Sequence, residues 1–152
     1  VRLTILAVGK LGSAFREAAD DYLRRLRRHG EITVTEVREA GKTPNPEEAR
    51  RIEGARLRDH LPPAAAVVAL DREGEGWTSE GLARRLRRWQ QAGRPLAFLV
   101  GGSHGLEPNL LAGADERWSL GPVTLPHQLA RVVLLEQLYR AGTILRGEPY
   151  HK

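Results

Sequence analysis

Residues 96–108 read LAFLVGGSHGLEP: five apolar positions, then Gly101, Gly102 and Gly105 in a G-G-x-x-G spacing, then a polar turn. A short continuous apolar run has two faces to bury, as a strand inside a parallel sheet does. Glycines directly behind such a strand mean that backbone must come close to something, and phosphate is the common partner. The phosphate patterns do not fit. No Lys-Ser/Thr follows, as a P-loop requires, and the G-x-G-x-x-G order of a dinucleotide turn is absent. The stretch predicts a strand feeding a ligand loop of another kind.

Outward from it, strands and helices alternate. Residues 3–8 (LTILAV) end at Gly9 and read as a buried strand. Ser13 is placed to cap a helix whose apolar stripe is Phe15, Ala18, Ala19, Tyr22, Leu23 and Leu26, with Gly30 as its stop. In residues 31–37, Ile32, Val34 and Val37 alternate with polar neighbours as in a second strand. Asn45-Pro46-Glu47-Glu48 is a helix start: a capping amide, proline in the first turn, and acids at the positive end of the dipole. That helix is expected to run to about Leu61, before Pro62 and Pro63.

Residues 64–70 (AAAVVAL) predict a further buried strand and DREGEGWT a polar turn after it. A helix follows over residues 79–91, with Leu82, Ala83, Leu86 and Trp89 on one face and Gly93 beyond its end. A weak helix at 108–114, a short strand at 118–120 and a long helix from about His127 to Arg146 complete the chain. The order predicts a single α/β domain over residues 1–152, a mostly parallel sheet with helices on both faces.

At 152 residues the chain suffices for one core, and 41% hydrophobic with 28% charged residues excludes disordered, collagen-like and membrane classes. Without cysteine, neither disulfides nor thiolate metal sites are available. No signal-like segment opens the chain at Val1, and no apolar run reaches the roughly 18–20 residues that span a bilayer. The expectation is a cytoplasmic protein without membrane contact. The net charge of +5 comes almost entirely from arginine, Lys10, Lys42 and Lys152 being the lysines. The string RRLRR occurs at residues 24–28 and again at 84–88. It reads as a solvated helix face with acids one turn earlier, Asp20 and Asp21 in one case and Glu80 before Arg84 in the other, or as a phosphate-tracking cluster.

Ligands of open parallel sheets collect at the carboxyl ends of strands. Three segments lie there: Leu70-Asp71 with its turn, the glycine loop 101–105, and SLGPVTLPH at 119–127. In the last, Gly121, Pro122 and Pro126 exclude a regular helix or central strand, while Leu120, Val123 and Leu125 call for burial. A buried irregular segment must satisfy its backbone groups, and a flat adenine ring between apolar walls is one way; a packed crossover without a ligand is the other. The terminal helix, LARVVLLEQLYRAGTIL, is apolar almost all round, so it is expected to be buried by its own sheet and by a second copy of the chain. Glu136 and Arg140, one turn apart on it, are either a structural ion pair or groups that handle a polar substrate. Tyr150-His151-Lys152 either frays or stacks on and bonds a nucleobase. His29, His60, His104, His127 and His151 have no metal-ligand spacing, so no metal is expected, and Ser103 is in no nucleophile elbow.

The chain resembles, from end to end, the RlmH family of bacterial ribosomal RNA methyltransferases, of the SPOUT class. The matching pieces are ILAVGK at 5–10, YLRR in the first helix, LD followed by SEGLA, VGGSHGL, and above all SLGPVTLPHQLARVVLLEQLYRA with the closing GEPYHK. The resemblance implies a SPOUT-type α/β knot, with a carboxyl-terminal trefoil over approximately 96–146. It also implies S-adenosylmethionine as methyl donor and a pseudouridine N3 of 23S ribosomal RNA, on the assembled ribosome, as target. On matching positions, the donor site comprises Leu70, Gly101, Leu120, Gly121, Pro122, Val123, Thr124 and Leu125, with Gly102 and Gly105 shaping the loop; the glycines would then clear space for the donor. Arg140, Tyr150 and His151, with Glu136 beside them, match the positions that hold the target base. A homodimer is expected. Two rival readings stay open: a SPOUT enzyme acting on transfer RNA, and a noncatalytic RNA-binding module.

Overall fold

The computed structural model describes residues 2–42 and 45–152. Strands and helices alternate as β1 (Arg2–Val8), α1 (Ser13–Arg27), β2 (Glu31–Val37), α2 (Pro46–Arg58), β3 (Ala66–Gly76), α3 (Ser79–Ala92), β4 (Leu96–Val100), α4 (Pro108–Gly113), β5 (Glu116–Ser119) and α5 (His127–Arg146). The strands form one parallel sheet in the order β2-β1-β4-β3-β5. The expected α/β architecture is what the chain adopts.

Period-two alternation divides the core between two faces. Ile5 and Ala7 of β1 and Phe98 of β4 pack with α1, α3 and α5, while Leu6, Val8 and Leu99 pack with Leu57 of α2 and Leu110 of α4. Every residue of β4 is buried, which is why its sequence is continuously apolar rather than alternating. Helix α5 lies between α1 and α3, with Leu134, Leu135, Leu138 and Ala141 buried. Its outward stripe of Leu129, Val133, Glu136 and Arg140 is only half-buried within the chain.

Several local expectations give way to tertiary contacts. Ser13 does not cap α1; Gly12 does, and its N–H donates to Gln128 Oε1 of α5 at 2.7 Å. That helix ends at Arg27 with Arg28 as a right-handed cap, before Gly30 is reached. Asn45 does cap α2, accepting from the Glu48 N–H at 2.7 Å. Glu80 does not meet Arg84 but bonds His151 Nε2 at 2.7 Å. Asp21 bridges Arg24 and Arg25, as the spacing of the first RRLRR string suggests.

The largest departure is β3. The expected polar turn after Leu70 is strand, continuing to Gly76 and pairing with β5 through a register shift between Leu70 and Glu75. Beyond Leu70 the strand has outrun β4, so its side chains need not be apolar. The shift also demands a glycine: a Cβ on Gly74 would sit 2.6 Å from the Arg117 carbonyl carbon. The short strand expected at 118–120 lies at Glu116–Ser119.

Candidate active site

A cleft of about 630 Å³ opens at the carboxyl ends of β3 and β4 and behind β5. Its lining contains Leu70, Gly101, Gly102, Gly105, Leu120, Gly121, Val123, Thr124 and Leu125. Of the expected donor-site residues, Pro122 alone is outside the lining. A second hollow of about 490 Å³ lies at the opposite edge of the sheet, among Arg2, Gln90, Gly93, Arg94 and Pro95, without apolar walls for a ring.

The glycine loop closes on itself. Gly102 and Gly105 form an isolated bridge, with the Gly105 N–H donating to the Gly102 carbonyl at 3.0 Å and Gly105 at φ +79°. A Cβ on Gly101 would come within 2.6 Å of the Gly105 carbonyl carbon, and one on Gly102 within 3.0 Å of Val8 Cγ1. At 101 and 102, then, side chains are excluded by the protein's own backbone and core, not by a guest. At 105 the positive φ is the constraint. From the far side, Arg50 Nη1 donates to the His104 carbonyl at 3.3 Å.

The segment 120–126 has no helix or strand, as its prolines and glycine require. It is not buried, however. Val123 is 68% exposed, the one large hydrophobic so exposed among the described residues, and Leu120 and Leu125 are half-buried. Gly121, at φ +125°, is tied to Ser119, whose Oγ accepts from its N–H at 3.2 Å and donates to its carbonyl at 3.1 Å. The N–H and C=O groups of Val123, Thr124 and Leu125 have no backbone partner among the described residues. An apolar wall with free amides and carbonyls suits a flat, edge-polar ring better than it suits water. Behind it lies Trp118, stacked on Trp77 at 5.0 Å and 10°, with the Arg85 guanidinium 4.0 Å from the Trp77 ring. No local pattern signals this stack, since DREGEGWT reads as a polar turn whereas β3 runs through it to Gly76, directly before Trp77.

The four residues expected to hold a target base do come together. Arg140 donates to Glu136 through Nε at 3.1 Å and Nη2 at 2.9 Å, and its Nη1 lies 3.0 Å from His151 Nδ1. The Tyr150 hydroxyl donates to Glu136 Oε2 at 2.8 Å, and its ring meets Tyr139 edge-on at 4.9 Å. The carboxyl end is therefore packed, turned back by Gly147 in the left-handed conformation. Burial, reinforced by the bond to Glu136, pushes the Tyr150 phenol well above its ordinary value; the bond to Glu136 likewise raises Arg140. With Gln137 Nε2 donating as well, at 2.8 Å, the Glu136 carboxylate is heavily engaged.

None of these four lines the cleft. Counted from His127 at its rim, Glu136 and Arg140 lie about 14 and 20 Å along α5.

The residues that set α5 against the cleft were missed from sequence. Arg131, 1% exposed, donates to the carbonyls of Val8 and Gly9 at 3.2 and 2.7 Å and also bonds Glu36. Arg16 meets the same carboxylate at 3.0 Å. Burial lowers the Arg131 pKa; burial raises Glu36, but the hydrogen bonds from Arg16 and Arg131 outweigh it, leaving Glu36 below its ordinary range. An arginine in an otherwise apolar helix, at RVVLL, was the available signal.

Comparison with known proteins adds to this geometry. The family described as "Predicted SPOUT methyltransferase" matches residues 1–151. "Ribosomal RNA large subunit methyltransferase H" of Rubrobacter xylanophilus is 55% identical, over 99% of this chain and 98% of the relative. The protein of that name in Anaeromyxobacter dehalogenans is 47% identical over the full length of both. A crystal structure of a putative methylase family protein from Neisseria gonorrhoeae superposes with a TM-score of 0.52 at 15% identity, covering 90% of this chain and 81% of that one. That likeness shows the fold.

Proposed function

Because this chain belongs to the SPOUT methyltransferase family, we propose that it transfers a methyl group from S-adenosylmethionine to large-subunit ribosomal RNA, at N3 of a pseudouridine. The observation that carries the reading is the cleft: expected donor-site residues from three separate segments converge on it, and its apolar rim is open. Leu120, Val123 and Leu125 would wall the adenine, and the unpaired backbone groups of 123–125 would read its edge. When bound, the donor supplies an electrophilic methyl on a sulfonium.

What this chain's residues then do is align and deprotonate. The imide nitrogen of the base must lose its proton as the new bond forms. His151 is the candidate acceptor in this reading, through the Nδ1 lone pair that faces Arg140 and is released when Arg140 turns to the base, whose developing negative charge Arg140 stabilises. Glu136 and Tyr150 position Arg140 rather than touch the base. Because these residues stand one to two nanometres along α5 from their own cleft, the site is completed by a homodimer in which one subunit's Arg140, Tyr150 and His151 serve its partner's donor. The half-buried outward stripe of α5 is the surface for that contact. Knotting over 96–146 and a cytoplasmic location belong to the same reading.

Calorimetry with S-adenosylmethionine and transfer of labelled methyl to ribosomes lacking the modification test it. Binding together with transfer to 23S RNA is expected. Transfer to transfer RNA instead would reassign the substrate, and absence of binding would leave a noncatalytic module.

A further inference from the structure

The charge on this chain is densest in the two RRLRR strings, yet the geometry points to a different surface as the RNA phosphate track: a row of four cations across the carboxyl edge of the sheet, formed by Arg38, Lys10, Arg50 and Arg72. The inference deepens the proposed function and rests on it.

The row follows from register. Val8 pairs with Val37, Ala7 with Val100, and Leu99 with Ala69, so the ends of β2, β1, β4 and β3 lie side by side. Arg38 follows β2 directly and Lys10 follows β1 by two residues; Arg50 is held against the loop behind β4, and Arg72 lies on β3 just past the pairing with β4. β2, β1 and β3 thus each bring one positive group to the same edge, and α2 brings Arg50 to the place behind β4. At about 4.8 Å per strand the row spans about 14 Å.

The row is also free and fixed. Arg38, Lys10 and Arg72 are exposed and have no acid partner among the described residues. The turn that carries Arg38 is pinned, with Arg56 Nη1 donating to the carbonyls of Arg38 and Glu39 at 2.9 and 2.8 Å. Two exposed carboxylates, Glu39 and Glu73, share this edge, leaving it net positive. Arg72 is itself in the cleft lining, so a strand of RNA following the row passes the site of methyl transfer.

The RRLRR strings lie elsewhere. Residues 24–28 are the last turn and cap of α1, and after His29 and Gly30 the chain enters β2 at Glu31, which pairs with Arg2 at the amino edge. Seven residues of strand, about 20 Å, separate that edge from the cleft. Residues 84–88 run down α3 toward the same amino edge, where Gly93 leads into β4. Asp21 and the pair Glu75 and Glu116 occupy Arg24, Arg25 and Arg85.

The test compares Lys10→Gln/Arg38→Gln, which leaves the cleft lining untouched, with Arg27→Gln/Arg28→Gln and Arg84→Gln/Arg88→Gln in the full-length chain. Methyl transfer to ribosomes lacking the modification, S-adenosylmethionine affinity and thermal midpoint are measured for each. The first variant should raise KM for ribosomes about fivefold or more, and lower the slope of log K against log salt by about one to two, with donor affinity and midpoint unchanged. The two RRLRR variants should match the unaltered chain. An RRLRR variant that takes the larger share of the KM and slope changes overturns the proposal. An unaltered chain that binds donor but never methylates ribosomal RNA overturns the functional reading beneath it, a result separable because it needs no variant.

Discussion

Arg131, on the second turn of α5, donates to the carbonyl of Gly9 at 2.7 Å and so ties the last helix to the end of the first strand, across 122 residues of chain. Gln128 makes a parallel tie, to the N–H of Gly12. Together they hold the beginning of α5, and the loop that enters it, against the floor of the cleft.

Replacing Arg131 with Met is therefore expected to cost about 2–4 kcal/mol, since the carbonyls of Val8 and Gly9 lose a buried donor while the half-buried Glu36 keeps only Arg16. Urea denaturation should show it. Arg131→Lys keeps the charge but cannot bond two carbonyls and Glu36 at once, and should fall between the two.

The Glu36 carboxyl is held below its ordinary value near 4.5 by Arg16 and Arg131. A carboxyl with a depressed folded-state pKa stabilises the protein above its unfolded value, and that contribution is lost as pH falls through the folded one. Glu36→Gln should thus be less stable at pH 7 and lose less on acidification below about 4.5. Denaturation curves at pH 7 and pH 3.5 check this; equal pH dependence in both proteins would contradict it.

Val123 is exposed, so Val123→Ser should change stability by no more than about 0.5 kcal/mol. If it walls the adenine, donor affinity should nevertheless drop severalfold to about tenfold, a loss of about 1 kcal/mol of apolar contact. A calorimetric titration beside a melting curve separates these outcomes.

Gly101→Ala places a methyl 2.6 Å from backbone and should deform the loop, abolishing donor binding. Gly105→Ala has open space around the new methyl and bears only the cost of φ +79°, about 1–2 kcal/mol. Donor affinity measured for both should rank them in that order.

Tyr150 should ionise later than an ordinary tyrosine, because burial and Glu136 disfavour its phenolate. A titration of tyrosinate absorbance should end in a late phase that Tyr150→Phe removes. If the phase survives, the hydroxyl does not rest on Glu136.

Much of this was legible in the sequence because it depends on patterns a few residues long. The apolar runs 3–8 and 96–100 read as buried strands, the Asn45 cap and the Gly93 stop marked helix ends, and the proline-punctuated segment read as irregular, as residues 120–126 are. The converging donor-site segments follow from placing those strands in a parallel sheet. What tertiary structure decided are contacts between residues far apart in the chain. β3 continues past Leu70 to Gly76 because Glu75 and Gly76 find Trp118 and Ser119 of β5 as partners. Gly12, whose N–H donates to Gln128, stands at the cap of α1 in place of Ser13, and Glu80 bonds a histidine 71 residues away rather than Arg84. Local propensities are worth a few tenths of a kcal/mol to about 1, and leaving a buried charge such as Arg131 without its partners costs more than that, so the pairing prevails over them. The alternation of strand and helix is a local property, whereas which helix end faces the cleft is set by the pairs that the folded chain alone brings within hydrogen-bonding distance.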